Sequence, residues 1–279
     1  MNTGTYFVIE QYIEVAPGVK LHISEAGKGR PVVLLHGWPE SDAIFKYQYQ
    51  VLAENGYRAI GITLRGFGKS DKPAGNYDFD VFSKDIQTVL DTLDLENIVL
   101  VGFSMGGLVA AHYIVHYAPV CVKKLALISS SAPSLTRRED YPYGFTVEEI
   151  NSLITATDMY RTDILNVYGN LFRLDEDFMP LSIGKWINNI NNEAGQEACI
   201  KSMIATRDMD LRPLLYKITL PTALFHAVDD NVFTFGIAEQ AHQGIKNSTL
   251  IPFEKGGHWI LIKEQDKLNA ELLKFIAQF

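Results

Sequence analysis

Residues 97–122 read NIVLVGFSMGGLVAAHYIVHYAPVCV and contain no Asp, Glu, Lys or Arg. Ile98–Val101 is a continuous apolar, β-branched run of the kind found at the centre of a sheet. Met105–Tyr117 has the length and composition of a buried helix. Between them stands Gly102-Phe103-Ser104-Met105-Gly106. A strand-to-helix turn this sharp strains its central residue, and flanking glycines let the backbones pass. The Ser104 hydroxyl is then held clear of the sheet, beside the free N–H groups of a helix start. The stretch is long enough to mimic a membrane span. Its glycines, Ser104, His112, His116 and Pro119 fit a buried strand, a turn and a buried helix better.

The same alternation extends on both sides. Gln11–Val15 and Val19–Glu25, joined by Pro17-Gly18, predict a leading hairpin. Pro31–His36 (PVVLLH) reads as a second central strand, followed by a helix over Ile44–Asn55 that Gly56 closes and a strand over Arg58–Thr63. Asp80–Leu93 carries apolar residues with a helical period. Lys124–Ser129, Thr222–His226 and Ser248–Phe253 read as further strands, with helices over Phe235–His242 and Lys263–Ala277. Such alternation implies an α/β fold in three layers around a mainly parallel central sheet. Residues 132–213 interrupt it with a helical, aromatic-rich stretch, in which Thr146-x-x-Glu149 is a capping box. The expected organisation is a core over 1–131 and 214–279 with an inserted helical lid over 132–213.

Composition narrows the function classes. The chain has 279 residues, with 25 Lys+Arg against 33 Asp+Glu and a net charge of −8. An acidic balance without a basic patch argues against nucleic acid. Cys121 and Cys199 make neither a disulfide framework nor a metal-ligand pattern. The first ten residues lack the basic n-region of a signal peptide. A soluble, cytoplasmic protein with no membrane partner, no metal and no cofactor is expected.

A nucleophilic serine needs a base, and the base an orienting carboxylate. When the serine tops a parallel sheet, both follow later in the chain, acid before histidine. His258 lies in Gly256-Gly257-His258-Trp259 after the strand 248–253. Asp229 and Asp230 lie just past the strand 222–226, and Asp230, where the loop turns towards Val232-Phe233, is preferred. His36 reads as a brace for its loop and His226 as packed; His22 and His242 show no partner pattern. His112 and His116 are four apart on a helix, without a third metal ligand. The oxyanion formed on serine attack needs two backbone donors. Met105 N–H is one, and Trp38 N–H, in His36-Gly37-Trp38-Pro39, is the other. Gly66-Phe67-Gly68-Lys69-Ser70 imitates the end of a phosphate-binding loop, but Thr63 stands where its first glycine would be, and no helix follows.

With these residues assembled, the chain resembles the α/β-hydrolase superfamily over nearly its whole length. Within it the likeness is to bacterial aryl esterases and the cofactor-free haloperoxidases, or perhydrolases. His36-Gly37-Trp38-Pro39, Arg65-Gly66-Phe67-Gly68-Lys69-Ser70-Asp71, Gly102-Phe103-Ser104-Met105-Gly106-Gly107 and Asp140-Tyr141-Pro142 carry it. Thr63, Leu108 and Ala227 depart from the usual Asp, Gly and Gly. The resemblance implies Ser104, Asp230 and His258 as triad, with Trp38 and Met105 as oxyanion donors. It supports Asp230, because family members place the acid four residues after the strand-end histidine, here His226. Epoxide hydrolases and haloalkane dehalogenases share the fold but need a carboxylate at the position of Ser104. The expected activity is carboxylester hydrolysis of small, aryl or short-acyl esters, with peracid formation as a side activity. Carbon–carbon bond hydrolysis with the same triad, and a slow-turnover small-molecule receptor, are the alternatives. Trp38, Phe103, Phe172, Val232 and Trp259 are candidates to line an apolar substrate pocket, and each could equally be core. The resemblance also implies a homo-oligomer.

Overall fold

A computed structural model describes residues 7–159 and 178–278. Eight strands form one sheet: β1 (Val8–Ala16), β2 (Val19–Gly27), β3 (Arg30–Leu35), β4 (Tyr57–Ile62), β5 (Ile98–Phe103), β6 (Val122–Ile128), β7 (Thr222–Ala227) and β8 (Ser248–Phe253). Their spatial order is β1-β2-β4-β3-β5-β6-β7-β8. The hairpin β1–β2 and the β2–β4 pair are antiparallel; every pair from β4 to β8 is parallel. β5, all of whose residues are buried, sits in the middle of the parallel part.

Strand alternation explains the two cores. Successive side chains point to opposite faces, so Val33, Leu35, Leu100 and Leu127 enter one apolar layer. Val32, Leu34, Val99 and Val101 enter the other. Helices α2 (Phe79–Thr92) and α3 (Met105–Tyr117) cover the first face. Helix α1 (Lys46–Glu54) and the C-terminal helix, Gln265–Ala277, cover the second. A sheet buried on both faces must be apolar throughout its central strands, which is why these read as unbroken hydrophobic runs. Helix α2 starts at Phe79, one residue before the sequence expectation, because the Asp78 carboxylate accepts from Val81 N–H at 2.9 Å.

Between β6 and β7 the described residues include helices α4 (Val147–Met159), α5 (Leu181–Asn192) and α6 (Gln196–Asp208). The capping box forms at the start of α4: Glu149 N–H donates to Thr146 Oγ1 at 3.1 Å and Thr146 N–H to Glu149 Oε2 at 2.7 Å. Among the described residues, no helix is long and apolar enough to cross a membrane.

Candidate active site

The chemistry-bearing residues gather at the C-terminal ends of β3, β5, β7 and β8, where an open parallel sheet presents its loops. Ser104 follows β5 directly and caps α3 with φ 55° and ψ −122°. A non-glycine residue at positive φ is held there only by its surroundings. Here Ser104 N–H donates to Ile128 O at 3.0 Å, and Gly107 N–H donates to Ser104 O at 3.0 Å. The glycines are a matter of space. A Cβ on Gly106 would stand 2.3 Å from Leu35 O, and one on Gly102 2.4 Å from Gly106 O.

Ser104, His258 and Asp230 are each no more than 5% exposed. Ser104 Oγ lies 3.0 Å from His258 Nε2, and His258 Nδ1 lies 3.1 Å from Asp230 Oδ2. The tautomer follows: the ionised carboxylate can only accept, so Nδ1 carries the proton and Nε2 accepts from the serine hydroxyl. Asp230 Oδ1 accepts from the N–H groups of Val232 (2.8 Å) and Phe233 (2.9 Å). Burial pushes the Asp230 carboxyl up, but the charge and hydrogen bond of His258, with His226 and Phe233 N–H, hold it below its usual range. Asp229 does other work, accepting from Gly257 N–H at 2.8 Å.

His226 and His36 are braces. His226 Nε2 donates to Phe233 O at 2.6 Å, and burial lowers its pKa. Burial pushes His36 down to about 4. The neutral ring donates from Nδ1 to Gly37 O (2.7 Å) and accepts at Nε2 from Leu64 N–H (3.0 Å). This fixes the turn after β3. Gly37 is pressed so close to Ser104 that a Cβ on it would stand 2.8 Å from Ser104 Cβ. The backbone of Trp38 is thereby brought beside the Ser104 elbow, and the Trp38 indole N–H donates to Cys199 O of α6 at 3.0 Å.

Above Ser104 lies an apolar cavity of about 40 Å³. Trp38, Met105, Val232 and Phe233 line it from the sheet side, and Leu135, Phe145, Leu153 and Met203 from the β6–β7 connection. Trp38 and Val232 are where the sequence placed them. Phe103 and Trp259 are not: both belong to the apolar layer on the opposite face. There they pack against the His258 ring, with centroids 5.2 and 5.9 Å away. Phe172 lies outside the described residues. Leu135 and Met203 went unrecognised, while Phe145 and Leu153 fell in the aromatic-rich stretch around the capping box without being read as cavity residues.

Other expected and unexpected clusters lie elsewhere. His112 pairs with Ser83 Oγ at 2.9 Å and stacks on His116 at 4.3 Å. Among the described residues, no three His, Cys, Asp or Glu are arranged to hold a metal. His22, which showed no partner in sequence, lies buried between Asp42 (3.3 Å) and Glu10 (3.4 Å). It borders a pocket of about 290 Å³, walled by both charged and apolar side chains, that none of the Ser104, His258 or Asp230 side chains lines. Residues 66–70 form a turn, with Ser70 N–H donating to Phe67 O at 3.0 Å.

A serine raised on a strand-to-helix turn, beneath an apolar cavity and linked to a histidine and a buried carboxylate, defines the hydrolase class built on this sheet. The chain belongs to the α/β-hydrolase family: the model for the alpha/beta hydrolase fold matches residues 30–265. It is 39% identical over 268 residues to the AB hydrolase superfamily protein YisY of Bacillus subtilis (strain 168), covering 96% of this chain and 98% of that one. The solved esterase EaEST from Exiguobacterium antarcticum is 39% identical with a TM-score of 0.93, over 97% of this chain and 100% of that one. A bromoperoxidase from Bacillus anthracis is 29% identical with a TM-score of 0.92, over 97% of this chain and 100% of that one. The protein is thus a hydrolase with esterase and haloperoxidase relatives.

Proposed function

We propose that the protein is a serine carboxylesterase for small, short-acyl esters. The observation that carries this reading is the unbroken hydrogen-bonded chain from Ser104 Oγ through His258 to Asp230. His258 Nε2 takes the Ser104 proton as Oγ attacks the ester carbon, and Asp230 stabilises the imidazolium that forms. The backbone N–H groups of Trp38 and Met105 receive the oxyanion. His258 then protonates the departing alcohol, leaving an acyl group on Ser104. Water, deprotonated by the same imidazole, releases the acid. Hydrogen peroxide entering in place of water would release a peracid.

The cavity supports the short acyl group. It is narrow, about 40 Å³, and its lining is almost wholly apolar. Hydrolysis of p-nitrophenyl acetate by wild type and Ser104→Ala tests the reading. Loss of about four to six powers of ten in kcat is expected. Equal turnover by the variant would sink it.

A further inference from the structure

Two buried carboxyls stand two residues apart, just after the turn that touches Ser104. Glu40 is 2% exposed and Asp42 is 4% exposed. Their surroundings differ in kind. Asp42 receives the hydroxyls of Tyr49 (2.8 Å) and Thr63, together with the His22 ring, and it stays ionised. Among the described residues, Glu40 is offered one donor, Gly37 N–H, at 3.2 Å from Oε2. A buried carboxylate with a single neutral donor is poorly compensated. Burial accordingly pushes the Glu40 carboxyl up to about 8, against the small lowering from Gly37 N–H.

Gly37 is the link to chemistry. The position of a Gly37 Cβ lies 3.0 Å from Glu40 Oε2 and 2.8 Å from Ser104 Cβ, so the acid oxygen and Ser104 Cβ are no more than about 6 Å apart beside Gly37. Glu40 N–H also donates back to Gly37 O at 3.2 Å, closing the turn that carries Trp38 N–H. The other titratable groups around the turn are accounted for. His36 is neutral, and Asp42 is paired with His22. Across Ser104, His258 is engaged with Asp230.

We propose that Glu40 is a positioning residue: its neutral carboxyl pins Gly37 N–H and so aims Trp38 N–H at the oxyanion, and its ionisation switches hydrolysis off at alkaline pH. This rests on the esterase reading of Ser104. The ionised side chain places a negative charge behind the site where the oxyanion develops. At a separation of about 6 Å and an effective dielectric of about 20, that repulsion slows the reaction roughly a hundredfold. Losing a proton from Glu40 to solvent is the whole chemical change.

The test is the pH dependence of kcat and KM for p-nitrophenyl acetate in wild type, Glu40→Gln and Glu40→Ala, with Ser104→Ala alongside. Wild-type kcat should fall above about pH 8, by roughly a hundredfold at the limit. Glu40→Gln keeps a carbonyl acceptor for Gly37 N–H and cannot ionise. It should retain at least about a third of neutral-pH kcat and lose the alkaline fall. Glu40→Ala should lose about tenfold or more in kcat with KM nearly unchanged. An alkaline fall that persists in Glu40→Gln overturns the proposal, as does a Glu40→Ala variant with wild-type kcat. Turnover surviving in Ser104→Ala would instead defeat the esterase reading itself. Should ester turnover be absent, the same pH comparison is read on the rate of fluorophosphonate labelling of Ser104, which needs the nucleophile and the oxyanion donors but no deacylation. Infrared difference spectra supply a readout independent of rate. A protonated carboxyl band in wild type at about pH 6 should vanish by about pH 10 and be missing from Glu40→Gln.

Discussion

Replacing Asp230 by Asn and Asp229 by Asn should separate two neighbouring carboxylates that differ in burial and in what they touch. Asp230 Oδ2 faces His258 Nδ1 at 3.1 Å inside the protein. In the proposed mechanism the imidazole takes the Ser104 proton, and a positive charge then appears beside that carboxylate. At about 3.5 Å and an effective dielectric of about 20, the attraction is worth about 5 kcal/mol. That corresponds to three to four powers of ten in rate, at about 1.4 kcal/mol each. Asn at 230 keeps the shape and an acceptor for Val232 and Phe233 N–H, but removes the charge and can offer an N–H to the ring, favouring the wrong tautomer. Asp229 has no such role: its Oδ1 accepts from Gly257 N–H at 2.8 Å, holding the loop before His258. Asp229→Asn preserves an acceptor there and should cost less than about tenfold in kcat. Steady-state kcat at neutral pH, with near-ultraviolet circular dichroism to confirm the fold, checks both. Comparable losses in the two variants, or a loss under tenfold in Asp230→Asn, would refute the assignment of the acid.

Gly37→Ala should fold yet lose about two to three powers of ten in kcat, because its Cβ would stand 2.8 Å from Ser104 Cβ and displace the turn bearing Trp38 N–H; kinetics beside a thermal melt distinguish this from general destabilisation. Met203→Ala, which removes a side chain from the cavity wall, should raise the propionate-to-acetate ratio of kcat/KM by about ten- to two-hundredfold, at about 1–3 kcal/mol for the one methylene accommodated. An unchanged ratio across the p-nitrophenyl ester series would show that the acyl group lies elsewhere.

What could be read in advance follows the range of the physics. The strand, turn and helix around Ser104 were legible because burial on both faces and the lack of space at Gly102 and Gly106 act between residues close in sequence. The order of acid and histidine was legible because a parallel sheet fixes which strand ends share a rim. Phe103 and Trp259 were misplaced as cavity residues for a related reason. Each is next in sequence to a catalytic candidate, but side chains adjacent along a strand end or a tight turn diverge. Both enter the layer shared with α1 and the C-terminal helix, while the cavity opens on the other face. Leu135, Phe145, Leu153 and Met203 converge only through tertiary packing of the β6–β7 connection, and no local pattern marks a cavity wall. Glu40 was visible as a residue, but its burial was not, and burial is what gives the carboxyl its character.

These facts divide the molecule's work between its parts. In the mechanism we propose, the proton path runs over Ser104, His258 and Asp230, all set on the rim of the sheet and braced by His36, His226 and backbone N–H groups. The cavity wall is shared between that rim and the β6–β7 connection, and the Trp38 indole bond to Cys199 O of α6 ties the two together. Substitutions in α4 or α6 that keep this tie can therefore alter which acyl group fits while leaving the proton path in place. Substitutions in the turn 36–40 cannot be so selective on the proposed mechanism, because that short segment carries the proposed oxyanion donor, touches Ser104 and anchors the wall at once.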